Sequence, residues 1–239
     1  MYCWRGKVGV VKPTFRPGSL ETFTRLLPDG VCVVPRYVGV RAGTEAEFDE
    51  AIAVAESRVA ELAEFGVDLV VIQGVPPIML RGYRFDGELT ERLTRQYGVP
   101  VLTATTAQVE AFRALGVRTM VALSYIQGAM NDRFAAFIEQ AGFTVTGIEE
   151  IRGVDFADVG DIPAEVIYRE AKKAFVEHGG ECVYLLGAGW DCLPAVEYLE
   201  EDLGVPVVTN LNAEVWATQK RLRLREPVEG FGRLLETLP

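Results

Sequence analysis

Several ingredients are scarce in this chain, and each scarcity removes a class of function. Histidine occurs once in 239 residues, as His178, and the four cysteines (Cys3, Cys32, Cys182, Cys192) show neither CxxC spacing nor a cluster with that histidine. A zinc site and a disulfide framework are therefore not expected. Basic residues are also short, 24 Lys and Arg against 34 Asp and Glu, a net charge of −10. Nucleic acid and anionic membrane surfaces are thereby disfavoured as partners, since both need a basic face. A small anion is not excluded, because one pocket can be locally positive on an acidic protein. No stretch approaches the roughly 18 uncharged apolar residues of a membrane span. Met1–Lys7 runs into a strand-like segment without the apolar core of a secretory leader, so a cytoplasmic location is expected.

What remains is ordinary globular material, 49% hydrophobic and 24% charged, with mass enough for a substantial core. Apolar runs at Val8–Val11, Val31–Pro35, Asp68–Gln73, Val99–Thr103, Thr119–Ser124, Thr144–Ile148, Glu181–Leu186 and Val205–Thr209 read as strands. Longer helical patterns separate them, the signature of a mainly parallel sheet covered by helices. The clearest is Glu45–Phe65, where Phe48, Ile52, Ala55, Val59 and Leu62 recur at steps of three or four. Thr44 with Glu47 makes a capping-box start and Gly66 a natural stop. Further helices are expected over Gly87–Tyr97, Thr106–Leu115, Asn131–Ala141, Ala164–His178 and Pro194–Asp202.

The chain also repeats itself. Asp68–Gly74 ends a strand at glycine, a helix follows, and Gly98-Val99-Pro100-Val101-Leu102-Thr103 begins the next strand. Later, Cys182–Gly187 ends at glycine, a helix follows, and Gly204-Val205-Pro206-Val207-Val208-Thr209 begins the next. Each second strand should lead through a short polar turn into a helix carrying an aromatic, Phe112 or Trp216. The expected fold is α/β, with two pseudo-symmetric flavodoxin-like halves, each a mainly parallel sheet flanked by helices. The first half is placed at residues 1–105, completed by 216–239, and the second at 106–215. No low-complexity linker divides them. Ligands of such folds sit beyond the carboxyl ends of the strands, and a pseudo-twofold would bring Gly74 and Gly187 to one shared cleft.

In its order of motifs the chain resembles the aspartate/glutamate racemase superfamily, in the branch of arylmalonate decarboxylases and maleate isomerases. The resemblance spans nearly the whole chain. It is carried by Gln73-Gly74 with Leu80-Arg81-Gly82, by Arg113–Arg118 through Val121–Ile126 to Asn131-Asp132-Arg133, and by Leu185–Val196 with Leu203–Val208. It implies a cofactor-independent lyase or isomerase, using neither metal nor organic cofactor, that acts on a small carboxylate. Racemases of this fold use one cysteine per half, whereas arylmalonate decarboxylases keep only the second. Here the first position falls on Gly74 and the second on Gly187, so both thiols are missing. Two-base racemisation and isomerisation through a thioether both lose their chemistry. Decarboxylation fits the Gly74 pattern best; the alternatives are a non-catalytic carboxylate-binding member and a different reaction using Asp191 or Lys12. Self-association as a homo-oligomer is left open.

The expected substrate-binding groups are Lys12, Gly74, Val75, Tyr125, Gly187, Ala188 and Gly189. Backbone N–H groups at the two glycine turns would hold a carboxylate and the enediolate formed from it. Pro76 and Pro77 bring no N–H. Tyr125 matches a family tyrosine that bonds a substrate carboxylate, and Lys12 would supply positive charge. Arg16 and Arg36 are as easily solvated loop residues. Catalytic protons would come from Tyr125, water or Cys192, whose thiol a helix N-terminus would acidify. Asp191 is expected to cap that helix, His178 to end one, and Ser124 to be structural. Asn210 and Asn212 follow the last strand, where turn chemistry explains them as well as the cleft does. Trp216 is expected in the core and Trp190 beside the glycine turn.

Overall fold

The computed structural model describes residues 2–237. Met1 of the first half and the last two residues of its proposed 216–239 completion lie outside the described residues. All eight apolar runs become strands: β1 (Gly6–Lys12), β2 (Val31–Tyr37), β3 (Leu69–Ile72), β4 (Val101–Thr103), β5 (Thr119–Ser124), β6 (Thr144–Glu150), β7 (Val183–Leu186) and β8 (Val207–Thr209). They form two four-stranded sheets, ordered β2-β1-β3-β4 and β6-β5-β7-β8. Every pairing is parallel. This is the flavodoxin-like order, made twice. Strands β3, β4, β7 and β8 are buried along their whole length, which is why they read as unbroken apolar runs rather than alternating ones.

The helices are α1 (Ser19–Leu26), α2 (Glu45–Phe65), α3 (Pro76–Met79), α4 (Tyr83–Tyr97), α5 (Ala104–Ala114), α6 (Ala129–Gln140), α7 (Ala164–His178), α8 (Leu193–Leu203), α9 (Asn210–Arg221) and α10 (Arg233–Glu236). Helix α2 starts and stops where its caps require: Thr44 accepts the Glu47 N–H, and Gly66 adopts φ 81°. The polar turns expected after β4 and β8 do not exist. Thr103 and Thr209 end their strands and cap α5 and α9 directly, each hydroxyl accepting an N–H at 3.0 Å from Thr106 or Asn212. Helix α1 has no counterpart in the sequence reading.

Helices α5 and α9 pack along each other between the sheets, and both touch β8. Helix α9 also reaches β3 and α1 of the first half. Beyond it, α10 docks on β8, and the Arg233 N–H meets Glu200 of α8 at 2.9 Å. The tail thus packs against α9, β8 and α8.

One cysteine expectation is overturned. Cys3 and Cys32 are disulfide-bonded, with Cα atoms 5.0 Å apart across 29 residues of sequence. Spacing alone could not reveal this, because the pairing of β1 with β2 (Gly6 beside Val31) brings the two cysteines together. Disulfides persist in oxidising surroundings and are rare in reducing ones. No helix among the described residues is long and apolar enough to cross a membrane.

Candidate active site

The strand registers set the symmetry of the site. Ile72 lies beside Thr103 and Leu185 beside Thr209. Each of these threonines caps a helix, so Gly74 and Gly187, two residues further on, occupy equivalent turns. Their φ angles agree, +97° and +108°, a region costly for any residue with a Cβ. Lys12 and Tyr125 stand at or just past the ends of the two first strands, β1 and β5. A cavity opens at this common edge, with Lys12, Thr14, Arg16, Ser19, Gln73 and Tyr125 as its polar residues. Its volume is about 40 Å³, room for a few waters. Val40, Phe48, Phe156 and the Val75–Pro77 turn form the apolar wall.

The two equivalent glycines meet different fates. At Gly74 an added Cβ would lie 2.8 Å from the Pro13 ring, and the residue itself lines the cavity. At Gly187 the added Cβ would lie 2.6 Å from Tyr125 Cζ and 2.7 Å from its Oη. The phenol occupies the space that a side chain at position 187 would need, and it screens Gly187 from the cavity. Trp190 braces the ring edge-on, with centroids 5.2 Å apart, and its Nε1 donates to the Gly187 carbonyl at 2.9 Å. Burial pushes the Tyr125 hydroxyl up to about 12, so it stays protonated. The Gly189 N–H donates to Tyr125 Oη at 3.1 Å, while the phenolic hydrogen has no acceptor among the described residues.

The expected anion hole is only half available. Gly187 N–H donates to Asn210 Oδ1 at 2.9 Å and Gly189 N–H to Tyr125, so neither is free. Gly74 and Val75 line the cavity, and among the described residues their N–H groups have no protein acceptor. Ala188 and Gly189 also line it. Positive charge comes from two residues. Lys12 is 3% exposed, and its Nζ donates to the Thr14 carbonyl at 3.2 Å and to that of Arg16. Burial above all, with help from the Arg16 charge, outweighs Glu21 and lowers its pKa to about 8. The Arg16 guanidinium donates to the Phe156 carbonyl and stacks 5.0 Å over that ring.

Other candidates fall away from the cavity. Cys192 is the N-cap residue of α8 but is 3% exposed, and burial drives its thiol pKa up. The helix terminus does not acidify it: desolvation of the thiolate outweighs the dipole. Asp191 is exposed and does not cap α8. Arg36 pairs with Glu61 at 2.9 Å. Ser124 Oγ accepts the Ile126 N–H, Asn212 completes the Thr209 capping box, and Trp216 is core. His178 Nε2 meets Glu149 at 2.9 Å. With Glu177 they lie within 4.8 Å of one another, but none lines the cavity.

Of the two arginines weighed as either site groups or solvated loop residues, Arg16 is brought into the cavity lining by the loop after β1. One feature escaped the sequence reading. Behind the cavity floor, Gln73 Nε2 donates to Glu214 Oε2 at 2.7 Å. Glu214 is wholly buried on α9, and a helical position gives no warning of which partner it will meet across the molecule.

The arrangement can be set against known proteins. The family model for arylmalonate decarboxylase matches residues 22–235. The arylmalonate decarboxylase of Bordetella bronchiseptica is 29% identical over 222 residues, covering 89% of each chain. The maleate isomerase of Nocardia farcinica is 26% identical over 185 residues, covering 75% of this chain and 74% of that one. In fold, the crystal structure of the maleate isomerase from Pseudomonas putida S16 superposes with a TM-score of 0.91 at 18% identity, covering 98% of this chain and 99% of that one. A crystal structure of arylmalonate decarboxylase gives 0.85 at 24%, covering 96% and 98%. The family match extends from α1 to α10 and takes in both glycine turns. The chain belongs to the arylmalonate decarboxylase family, within the branch of the aspartate/glutamate racemase superfamily that also holds the maleate isomerases.

Proposed function

We propose that this protein is a cofactor-independent lyase that decarboxylates a small carboxylic acid of the substituted-malonate class in the cavity between its halves. The observation that carries this reading is the phenol of Tyr125 standing in the side-chain space of Gly187. The resemblance assigns positions 74 and 187 to the family's thiols, and neither is present. A protonated hydroxyl in the place of the second supplies the one group a decarboxylase needs at that face, a donor for the carbanion.

In this reading one carboxylate is held by Arg16 and by the Gly74 and Val75 N–H groups. The other lies against Val40, Phe48 and Phe156, where loss of hydration favours departure of CO₂. The electron pair left behind spreads into the retained carboxylate as an enediolate, whose charge the same donors stabilise. Tyr125 delivers its hydrogen to the α-carbon, and the phenolate recovers a proton from water while the Gly189 N–H supports its charge. Gly74 cannot supply an opposing base, so one-face protonation follows, without racemisation.

The test is decarboxylation of phenylmalonate and alkylmalonates, followed by ¹H NMR in D₂O. Wild type should release CO₂ and place a single deuterium at the α-carbon. Tyr125→Phe should lower turnover by about 10²–10⁴-fold, the usual worth of a positioned acid, while Cys192→Ala should not. The reverse pattern would transfer the proton to the thiol. Ligand binding without turnover in the wild type would instead make the protein a carboxylate-binding member.

A further inference from the structure

Lys12 does more than a charge for carboxylate binding requires. It ends β1, lines the same cavity as Arg16 and Tyr125, and is 3% exposed. A lysine retained only for charge is ordinarily met by a carboxylate when it is buried this far. Among the described residues no carboxylate bonds or pairs with Lys12. The acid whose charge it feels, Glu21, accepts the Gly18 N–H at 2.8 Å instead. The Lys12 Nζ contacts are two main-chain carbonyls, of Thr14 and Arg16. Two carbonyls take two hydrogens, so a neutral amine there keeps its lone pair free.

From this placement we infer that Lys12 is a nucleophile that forms an imine with the ketone of a 3-oxo acid, giving the cavity a second decarboxylation route. Burial and an adjacent cation are the two conditions that activate an amine, and both are met. With a pKa of about 8, roughly half the side chains are uncharged at pH 8.

The steps balance with water and a proton alone. The Lys12 amine adds to C3 of the oxo acid, forming a C–N bond, and the carbonyl oxygen leaves as water. The protonated imine that results keeps one N–H, which a loop carbonyl accepts. The C2–carboxylate bond then breaks, CO₂ departs, and its electron pair moves into the C=N⁺ group to give an enamine. Tyr125 protonates C2. Water adds to the imine, the C–N bond breaks, and the methyl ketone leaves with the amine regenerated. Arg16 holds the carboxylate in the ground state.

This inference rests on the cavity assignment of the proposed function but not on malonate turnover, since a malonate has no ketone to trap. Acetoacetate and a substituted malonate are each incubated with the full chain and sodium cyanoborohydride, followed by intact mass and peptide mapping. A single irreversible adduct on the peptide carrying Lys12, formed with acetoacetate and not with malonate, is the expected result. It should disappear in Lys12→Arg, which keeps the charge but cannot form an imine. No adduct on wild type, or labelling spread over Lys7, Lys172, Lys173 and Lys220 without preference for Lys12, would overturn the inference. Either outcome leaves malonate decarboxylation to be judged by its own assay.

Discussion

Glu214→Gln should flatten the alkaline side of the stability profile. The carboxyl is wholly buried, its Oε2 accepts the Gln73 amide at 2.7 Å, and its Oε1 has no partner among the described residues. Gln73 Oε1 is equally without a partner. A proton on Glu214 supplies the donor that this pair of oxygens lacks, and burial accordingly raises its pKa from 4.5 to about 8, against the opposing Gln73 bond. In the unfolded chain the carboxyl loses its proton near its ordinary value. Between the two values the folded state binds the extra proton, so stability falls as pH rises, and the loss is complete above about 8. Each pH unit in that window costs about 1.4 kcal/mol, so the full span is worth on the order of 5 kcal/mol. A glutamine at 214 keeps the same shape, accepts from Gln73 and donates back, and carries no proton to lose. Urea unfolding of both proteins at intervals from pH 5 to pH 8.5 isolates the effect as a difference of slopes. The wild type should lose several kcal/mol relative to the variant across the window. Parallel profiles would mean that the carboxyl ionises at its ordinary value inside the fold, and the burial argument would be wrong.

Gly187→Ala should destabilise the fold by more than ~2 kcal/mol, from a positive φ and a Cβ inside the Tyr125 ring; chemical unfolding together with turnover reads both the strain and the displaced phenol. An unstrained variant with normal turnover would show that Tyr125 does not fill that space. Cys3→Ser should cost about 3–4 kcal/mol, from the closure entropy of a loop spanning 29 residues. Reductant should lower wild-type stability to that of the variant, and a wild type indifferent to reductant would deny the crosslink.

The framework of this protein was legible because it is written locally and twice. Eight apolar runs, the Thr44 and Gly66 caps and the paired Gly-Val-Pro-Val segments mark strands, stops and repeats without reference to anything distant. The site was legible only at its turns. Gly74, Val75, Ala188 and Lys12 follow strands, and the carboxyl-end rule places them. Arg16, Phe156 and Glu214 come from a loop, a second-half loop and the last long helix, and nothing local marks their meeting. The disulfide fails for the same reason, since parallel pairing of β1 with β2 brings Cys3 to Cys32. Cys192 misled in a different way: its position at a helix start was right, but its burial could not be read from sequence, and burial decides the sign of the thiol shift.

The repeat also shows how a symmetric frame comes to hold an asymmetric site. Counting from the capping threonines, Gln108 on α5 and Glu214 on α9 are equivalent, five residues beyond Thr103 and Thr209. Both are wholly buried, and each reaches into the opposite sheet: Gln108 accepts the Tyr184 hydroxyl of β7, while Glu214 accepts the Gln73 amide just past β3. The first contact joins neutral groups and fastens α5 to the second sheet. The second lies one residue from Gly74, at the cavity floor, and the α9 member is ionisable. The same asymmetry appears at the mouth, where Tyr125 covers Gly187 and leaves Gly74 open. A two-faced acid–base device needs equal access on both sides. Here the first half supplies the open floor and free N–H groups, and the second supplies the hydroxyl, an arrangement suited to holding a carboxylate on one side and protonating from the other.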